Sequence, residues 1–362
     1  MSQIRIPGTS GYALMSDKSL EFYKDPMHFC NSRIHSYGSR VFQARLLNKP
    51  TIFVCSVKGM KELLCARISV FEKDPSAVMH ELYGGNLVTT DEKVNVFDTS
   101  YTTSMCKLFG DTVCFTNGLI SAPVKVKVSV WSSAFTQALE AKEKLLSIIN
   151  ERLKSEEDGL ISKIKTVPFP ENTNAAQHLL LFISALIPKA LASLLTSFTL
   201  ELAGSDKVDL RKRAQESEDY LDHVLLEVER LWPSFIGGRR IAKQDTTLCG
   251  YVVPKGYVAL FVAFAVHRDP EIFDDPDEFQ PERWSGRNAG QEKLLCCFGN
   301  GSRNCIGIDL NNVILKTTAG YLLNHYCWEL DPPNQSLEYK WLPVSRPAED
   351  PKIKFTSCSS KT

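Results

Sequence analysis

The sequence predicts a mainly α-helical fold with small β-sheets. Two long segments, 132–157 and 306–326, have apolar residues at helical spacing, and the first also has a charged face. A third segment, 178–203, is apolar over a longer stretch than a strand usually spans. Strand-like patterns are short and lie towards both ends of the chain. Helices therefore dominate the predicted fold.

Turn and breaker residues define the limits of the predicted elements. The first helix ends at Gly38, and Asn48 with Lys49 joins two strands into a hairpin. A later helix stops before Pro233. In chain order the sequence predicts a helix at 17–38, strands at 40–47 and 50–56, a helix at 57–71, an irregular region at 75–123, a helix at 132–157, an apolar helix at 178–203, a charged segment at 205–220, a helix at 221–232, short strands within 246–266, a polar loop at 267–284, a helix at 306–326 and a strand-like tail at 337–347.

The composition is that of an ordinary soluble globular protein, with 43% hydrophobic and 23% charged residues. Lys and Arg together number 42, as do Asp and Glu, so the net charge is zero. This balance removes any global electrostatic argument for binding nucleic acid or an anionic membrane. The 11 cysteines lack the regular spacing of small disulfide-rich domains, which indicates a reducing compartment.

The apolar segment at 178–203 is long enough to span a bilayer. However, Pro188 and Lys189 lie at its middle, where a charge is most costly, and Ser and Thr are frequent. We interpret the segment as a buried central helix, with a membrane-spanning helix as the alternative. Residues 1–12 lack the apolar stretch of a secretory signal, so no leader is expected.

A glycine-rich loop at 296–307 contains the most unusual cysteine of the chain. Cys305 lies where the helix at 306–326 is predicted to begin, and the positive end of a helix dipole favours a thiolate. Cys296 and Cys297 are interpreted as small apolar residues of a buried strand. They do not give the Cys-x-x-Cys spacing of a zinc site, and no base for a nucleophilic cysteine is evident nearby.

Three motifs together resemble one known family. Residues 298–307 read Phe-x-x-Gly-x-Arg-x-Cys-x-Gly, residues 227–230 read Glu-x-x-Arg, and residues 281–284 read Pro-Glu-Arg-Trp. In these motifs the sequence resembles the cytochrome P-450 superfamily, the haem-thiolate monooxygenases. The opening of the chain and residues 250–261 look most like the branch that oxidises retinoids, sterols and plant isoprenoids. The resemblance covers most of the chain except roughly 75–175.

The resemblance implies a cytochrome P-450 fold, with haem b between the long central helix and the cysteine loop. Cys305 would be the axial ligand of the haem iron, and Phe298 belongs to the same cofactor-binding loop. Gly301 would allow a tight turn and a close approach to the macrocycle. Arg303 and Arg240 match positions that pair with the haem propionates, and the alternative for each is a solvated surface charge.

The resemblance also implies a structural role for Glu227, Arg230 and Arg283. In the family, the corresponding carboxylate and guanidiniums form a buried charge network behind the haem. A buried carboxylate needs pairing, and arginine supplies a bidentate geometry that lysine does not. We therefore expect these residues to support the fold and not to perform chemistry.

The central helix departs from the family pattern. The family has an acid–Thr pair there, which relays protons to bound dioxygen, and alignment puts Pro188 and Lys189 in its place. Pro188 should kink the helix. Lys189 is a candidate catalytic proton donor if it is buried, since burial lowers the pKa of a lysine, and a surface lysine if it faces outward. Thr196 and Thr199 lie too far along the helix to replace the pair.

A second departure is the short middle of the chain. Only residues 158–177 separate two predicted helices between which the family has several more, so we expect an open distal side. The helix expected to bear residues 124–131 lacks the residues that usually meet a propionate, and Lys127 is a poor replacement. We expect one monomeric domain over 1–362. It would comprise an N-terminal helix and hairpin region at 1–75, a divergent shortened middle at 76–175, and the central helix, Glu-x-x-Arg helix, meander and haem-binding loop at 176–362.

The expected function is insertion of one oxygen atom of O2 into a lipophilic small molecule, an isoprenoid or a secondary metabolite. Electrons would come from a flavoprotein reductase or a ferredoxin, which would dock on a basic patch of Lys293, Arg303 and Lys316. One alternative is a haem-thiolate isomerase or dehydratase of an oxidised substrate that needs no reductase, which the missing acid–Thr pair supports. Another is a non-catalytic haem-binding remnant, which the short middle supports.

The expected location is the cytoplasm, with peripheral contact with the endoplasmic reticulum surface as an alternative. No transmembrane anchor and no nucleic-acid partner are expected.

Overall fold

The computed structural model describes residues 5–66, 69–73, 127–128, 131–154, 174–185, 188–285, 290–301, 304–305, 307–342 and 344–358. The chain forms two compact units. The larger unit comprises Met1–Glu72 with Lys189–Thr362, and the smaller comprises Lys73–Pro188.

The described residues form helices and short strands that are numbered here in chain order. The helices are α1 Ser19–Lys24, α2 Pro26–Tyr37, α3 Val57–Cys65, α4 Ala134–Lys154, α5 Ala175–Ala185, α6 Pro188–Glu201, α7 Val208–Glu216, α8 Glu218–Leu231, α9 Ala263–Val266 and α10 Ile308–His325, with short 3-10 helices at Ser205–Lys207, Pro281–Trp284 and Gln291–Leu294. The strands are β1 Val41–Leu46, β2 Lys49–Val54, β3 Phe71–Lys73, β4 Lys127–Val128, β5 Trp131–Ser132, β6 Gly237–Ala242, β7 Thr246–Leu248, β8 Tyr251–Val253, β9 Val258–Val262, β10 Tyr326–Leu330, β11 Tyr339–Lys340, β12 Arg346–Pro347 and β13 Ile353–Ser357.

The helix predicted at 17–38 is two helices, α1 and α2, and the break lies at Asp25. Pro26 is the first residue of α2, where its missing N–H is not needed. The Asp25 carboxylate accepts a hydrogen bond from the backbone N–H of His28 and caps α2. The predicted end is correct, because Gly38 terminates α2 in the left-handed conformation, with φ 58°.

The predicted hairpin is present, with β1 antiparallel to β2. The turn is Leu47 and Asn48, one residue earlier than the predicted Asn48 and Lys49, because Lys49 is already in β2. Leu47 and Asn48 both have positive φ, 51° and 57°, as the tight turn requires. The sheet has five strands in the order β1-β2-β9-β6-β3, and β2 pairs with β9 in parallel. The N-terminal hairpin and the strands after residue 236 therefore form one sheet, whereas the sequence predicts small sheets at both ends.

The larger unit has an aromatic core where the first helices pack on this sheet. Phe22 and Phe29 contact Phe53, and Phe42 stacks on Phe53 with ring centroids 4.9 Å apart. All four side chains are buried. Burial of each such ring stabilises the fold by about 1.5–3 kcal/mol, so this cluster anchors the sheet.

The apolar segment at 178–203 is described as the helices α5 and α6. Pro188 is the first residue of α6, a position that tolerates proline, and this agrees with the predicted break. Residues 186 and 187 lie outside the described part of the chain. Of the helices that the structure describes, none combines the length and apolar character needed to cross a bilayer.

The smaller unit contains α4, α5 and the strand pair β4–β5, so the described residues of the helix expected at 124–131 are strand and not helix. One face of α4 is buried, and its buried residues recur every three or four positions, as predicted for the helix at 132–157. They are Phe135, Ala138, Ala141, Leu145 and Ile149. Within this unit α4 packs against α5.

A second core of the larger unit joins α6, α8 and α10. Phe198 of α6, Val224 of α8 and Ala319 of α10 are fully buried in it. The predicted charged segment at 205–220 is mostly helix, since α7 occupies Val208–Glu216 with only Ala214 buried. The apolar pattern there is too weak to predict a helix, and packing against α8 and α10 supplies the stabilisation.

Short sheets complete the larger unit. β7 pairs with β8, β11 pairs with β12, and β10 pairs with β13, each pair antiparallel. The predicted tail at 337–347 is strand only at β11 and β12, while β10 and β13 lie outside it. The helix predicted at 57–71 ends at Cys65, and its last predicted residue, Phe71, begins β3.

Candidate functional site

The loop that carries Cys305 folds back on itself between α9 and α10. Gly299 and Gly301 have φ 77° and 72°, which side-chain-bearing residues rarely adopt. The Gly299 N–H donates to the Cys296 carbonyl at 2.9 Å, and the Cys305 N–H donates to the Phe298 carbonyl at 2.7 Å. The loop motif therefore brings Phe298 and Cys305 into direct backbone contact.

Cys305 lies in the loop just before the following helix, close to where the sequence predicts that the helix begins. α10 begins at Ile308 and its N-cap is Gly307, so Cys305 precedes the cap. Turns of the glycine loop thus hold the sulfur in place. The position of Cys305 therefore depends mainly on backbone hydrogen bonds within the loop. The effect of the helix dipole is smaller, because it falls off within a turn.

Gly301 is also required by a close neighbour. A Cβ atom at this position would lie 2.7 Å from the Leu64 carbonyl oxygen near the end of α3. Together with its positive φ, this contact excludes any other residue without a shift of the backbone. The predicted reason for Gly301 was close approach to a macrocycle, and the structure adds close approach to α3.

The Cys305 side chain is partly exposed and its sulfur has no hydrogen-bond partner among the described residues. The same residues contain no group of His, Cys, Asp and Glu that could bind a metal ion. Cys305 therefore offers one partly exposed sulfur atom.

Cys296 and Cys297 are not in a strand, which corrects the prediction. Cys296 is buried, as predicted, and its backbone N–H donates to Nε2 of His267 at 2.8 Å. With Nε2 accepting, Nδ1 carries the proton and donates to the Arg230 carbonyl at 3.1 Å. His267 therefore connects the start of the cysteine loop to α8.

His267 is fully buried, and burial is the main reason why its pKa falls to about 3, with smaller effects from the charges of Arg230 and Arg268. The ring is neutral in the folded protein, whereas the unfolded chain binds a proton below its ordinary pKa of about 6.5. Folding is therefore stabilised above that value, and this contribution is lost as the pH falls towards 3.

We expect His267 to make the protein less stable in acid. Between pH 8 and pH 5 it should lower the free energy of unfolding by about 2 kcal/mol. Urea unfolding of wild type and His267→Gln at both values measures this, because the variant lacks the titrating group. The variant should be less stable at pH 8 and should lose less stability on acidification. Equal losses in the two proteins would contradict the assignment.

The predicted charge network is present behind the loop, and Glu227 is its centre. The Glu227 carboxylate is fully buried and accepts from Nε and Nη2 of Arg230 at 2.9 and 2.8 Å. It also accepts from Nε of Arg283 at 2.9 Å, from the Gln280 N–H at 2.9 Å and from Nε1 of Trp284 at 3.0 Å. Five donors thus satisfy one carboxylate.

The two arginines connect this carboxylate to the polar loop predicted at 267–284. Arg230 donates to the carbonyls of His267 at 3.0 Å and Glu278 at 2.8 Å. Arg283 donates to the Asp274 carbonyl at 2.8 Å. Since all these acceptors are backbone atoms, the network fixes the path of the loop and has a structural role, as expected.

Glu229 is a buried acid that the sequence analysis missed. Its Oε2 lies 3.5 Å from the Cys297 sulfur, and burial raises its pKa to about 7. Glu229 is the second acid within the Glu-x-x-Arg motif, and no neighbouring residue in the sequence distinguishes it from a solvent-exposed glutamate. It contacts the cysteine loop from α8.

The remaining cofactor-binding candidates are placed only in part. Arg240 lies on β6, partly buried, and its Nη1 donates to the Arg239 carbonyl at 2.9 Å. Arg303 lies outside the described residues, and so do the side chains of Lys127 and Lys189. The assigned roles of these residues stay predictions. Thr199 is placed, and its hydroxyl donates to the Leu195 carbonyl within α6 at 2.8 Å.

The predicted basic patch is weaker than expected. Lys316 is ion-paired with Asp222 and Glu218 of α8, with Nζ to oxygen distances of 2.9 and 3.5 Å. The hydrogen bond that Lys316 donates to Asp222 is the main reason why the pKa of Lys316 is raised. Its charge is therefore balanced on the surface, while Lys293 is exposed at the start of the loop.

Comparison with known proteins gives consistent results. Residues 192–355 match the family model described as Cytochrome P450. Putative cytochrome P450 120 of Synechocystis sp. is 28% identical over 67% of this chain and 60% of its own length. Cytochrome P450 3A1 of Rattus norvegicus is 39% identical over 31% of this chain and 22% of its own length. The matched part of the chain thus spans less than two thirds of either relative.

A solved structure agrees over nearly the whole chain. The structure described as retinoic acid bound cyanobacterial CYP120A1 superposes with a TM-score of 0.83, covering 99% of this chain and 100% of that one at 24% identity. This similarity establishes the fold and confirms the predicted fold class. The matches in sequence and structure confirm the resemblance drawn from the motifs.

Proposed function

Since residues 192–355 match the cytochrome P450 family model, we propose that the chain is a haem-thiolate monooxygenase of that superfamily acting on a lipophilic small molecule. The observation that carries the proposal is the geometry of Cys305. Its sulfur has no hydrogen-bond partner among the described residues, and a 2.7 Å backbone hydrogen bond from the Cys305 N–H to the Phe298 carbonyl closes the loop that carries it. A partly exposed thiol of this kind can, as a thiolate, bind one metal ion at the surface of the loop.

The described residues fit haem b, the cofactor of this family. Cys305 would supply the axial sulfur, and Phe298, whose ring packs on the core of α6, α8 and α10, would support the loop beneath it. Arg240 would pair with a propionate. When bound, a haem with a thiolate ligand supplies the electron density that favours O–O cleavage.

Each residue of the loop then has one task. Gly299 and Gly301 allow the turns, and the Cys305 N–H bonded to Phe298 fixes the backbone that carries the ligand. Outer contacts of this kind orient a ligand and tune its donor strength. The hydrogen bond from the Cys296 N–H to His267 and the Glu227 network hold the loop against α8.

The substrate class we propose is an isoprenoid or a related secondary metabolite. It is supported by the resemblance of the opening segments and by the fold of CYP120A1, a protein whose structure is described as retinoic acid bound. Electrons would come from a flavoprotein reductase or a ferredoxin. With Lys316 paired, Lys293 and Arg303 would be the docking cations.

Purified protein reconstituted with haem tests the proposal. After reduction, carbon monoxide should give the absorption band of thiolate ligation. Oxygen consumption should then require NADPH and a reductase. Turnover of a lipid hydroperoxide without reductase would instead favour the isomerase or dehydratase alternative, and absence of the band would overturn both.

We also propose peripheral contact with a membrane through exposed apolar residues of the N-terminal segment. Tyr12, Leu14, Met15 and Leu20 are 81%, 80%, 90% and 89% exposed. Large side chains with this exposure in one segment are typical of an interaction surface. Asp17 and Glu21 balance Lys18 and Lys24 between residues 12 and 24, so a neutral lipid surface fits better than an anionic one.

Wild type should therefore co-sediment with phosphatidylcholine vesicles, and the double variant Met15→Asp, Leu20→Asp should bind at least tenfold more weakly. Insertion of each apolar side chain contributes about 1.5 kcal/mol or more. Val313→Asp is the matched control, because Val313 is 62% exposed on α10, outside this segment. Equal binding by wild type and the double variant would refute the contact.

A further inference from the structure

Two cysteines that play no part in the haem proposal lie side by side near the end of the chain. The sulfur atoms of Cys327 and Cys358 are 3.1 Å apart. Cys327 is exposed and Cys358 partly exposed, and both are free thiols. Reagents in solvent can therefore reach a pair of sulfurs that already touch.

The sheet geometry explains why they meet. Cys327 of β10 lies opposite Thr356 of β13. The ladder continues past the strands, because the Cys358 N–H donates to the His325 carbonyl at 2.8 Å. Residues two apart on a strand share a face, so Cys358 is the diagonal neighbour of Cys327 on the same face.

That face points away from the core. The neighbouring residue Trp328 is only 2% exposed and belongs to the core of α6, α8 and α10. Glu329 and Lys354, opposite each other on the outer face with Cys327, have charged groups 3.9 Å apart and are well exposed. The packing of Trp328 therefore holds the two thiols at the surface without covering them.

We propose that Cys327 and Cys358 are an oxidisable dithiol site that forms a disulfide with a small-molecule disulfide such as oxidised glutathione. One protein thiolate attacks the glutathione disulfide, forms a mixed disulfide and releases one glutathione thiolate. The second protein thiolate attacks the mixed disulfide at the protein sulfur and releases the second. Overall, two protein thiols are oxidised to one disulfide and one glutathione disulfide is reduced to two thiols.

Cys327 is the expected first nucleophile. It is the more exposed of the two, and the hydrogen bond with Cys327 raises the pKa of Cys358. A thiol with a raised pKa is less often ionised and attacks less often. Cys358 then resolves the mixed disulfide from 3.1 Å away.

The disulfide would close a segment that contacts the central helix α6 at several points. Within or beside it, Trp328 Nε1 donates to the Thr199 carbonyl at 2.8 Å and the Tyr339 hydroxyl donates to Ser197 Oγ at 3.0 Å. Ser193 Oγ donates to the Ser345 carbonyl at 2.6 Å. Oxidation therefore restrains the segment 328–357, which holds α6 from one side.

To test the site, the protein is incubated with oxidised glutathione and the remaining free thiols are alkylated. Mass mapping of the tryptic peptides then shows the state of each cysteine. The expected product joins the tryptic peptides 317–340 and 355–361, with loss of free thiol at Cys327 and Cys358. Cys65 is the matched control, since it is exposed and no described thiol faces it. A Cys65→Ser variant should still form the joined peptides.

Two variants separate a paired site from two reactive cysteines. In Cys358→Ser, Cys327 should remain as a stable glutathione adduct, because no resolving thiol is present. In Cys327→Ser, Cys358 should react more slowly than Cys327 does in wild type. Separate glutathione adducts in wild type, no reaction at either cysteine, or joined peptides that include Cys65 would each overturn the proposal. The outcome is independent of haem binding.

Discussion

Cys305→Ala should abolish the absorption band that carbon monoxide gives with a thiolate-ligated haem in the reconstituted, reduced protein. The other two thiols of the loop have partners, since the Cys296 sulfur contacts His267 and the Cys297 sulfur contacts Glu229, and the described residues offer no cluster that could supply another metal ligand. Alanine has no donor atom, so the iron would lose its axial sulfur and the electron density that the sulfur provides. Oxygen-dependent turnover should fall with the band.

The fold should survive this change. The Cys305 side chain is partly exposed and its sulfur has no partner among the described residues, and substitutions near the surface that break no contact change stability by only about 0.5 kcal/mol. Urea unfolding of the haem-free protein should therefore be nearly unchanged. Loss of the band together with loss of the fold would leave the ligand role unsupported, so both are measured on the same preparation.

Cys297→Ala is the matched control for the spectrum, because Cys297 lies in the same loop and its sulfur faces Glu229. This variant should keep the band at full intensity. A band that persists in Cys305→Ala, or that disappears equally in Cys297→Ala, would contradict the assignment of the ligand.

Glu227→Ala should strongly destabilise the larger unit. It removes the acceptor of five hydrogen bonds. It also leaves the buried side chains of Arg230 and Arg283, which are 0% and 7% exposed, without the carboxylate that pairs with them in the described network. Removal of one partner from a buried ion pair costs about 3–5 kcal/mol. The free energy of unfolding from urea titration measures the loss.

Glu282→Ala is the control for this substitution. Glu282 pairs with Arg213 at 2.6 Å, but their side chains are 55% and 53% exposed. Exposed ion pairs contribute about 0–1 kcal/mol, so this variant should unfold close to wild type. Exposed pairs set a scale of about 1 kcal/mol. If the free energy of unfolding of Glu227→Ala also stayed within about 1 kcal/mol of the wild-type value, the network would not support the fold as described.

Haem binding provides a second measure of the Glu227 network. The contacts of Arg283 and Arg230 fix the backbone before the cysteine loop. Glu227→Ala should therefore lower the fraction of protein that shows the absorption band with carbon monoxide. Glu282→Ala should retain it. The two readouts together distinguish a general loss of stability from local loosening of the loop.

Much of the local structure was predictable from particular residues. Gly38 ends α2 in the left-handed conformation, and Asn48 lies in the hairpin turn, because both conformations are rare for other residue types. The heptad-like spacing of apolar residues predicted α4 to within a few residues. The motif around Cys305 predicted the family, since its fixed positions are specific.

Other predictions failed because they depended on distant partners. The exception is the helix predicted at 17–38, whose break at Asp25 has a local cause, since Pro26 starts a new helix and the aspartate caps it. Lys316 was assigned to a docking patch, yet α8 places Asp222 beside it. Cys296 and Cys297 are apolar contacts outside any strand, since His267 accepts the N–H of Cys296 that a strand would have used.

By itself, the sequence determined the helical class, the turns and the family, because each depends on residue type and short spacing along the chain. Only the tertiary structure decided that β2 pairs with β9, that Glu227 receives five donors, and that Cys327 touches Cys358. Those contacts join residues far apart in the chain. Their free energy comes from packing of the whole fold, which local patterns do not encode.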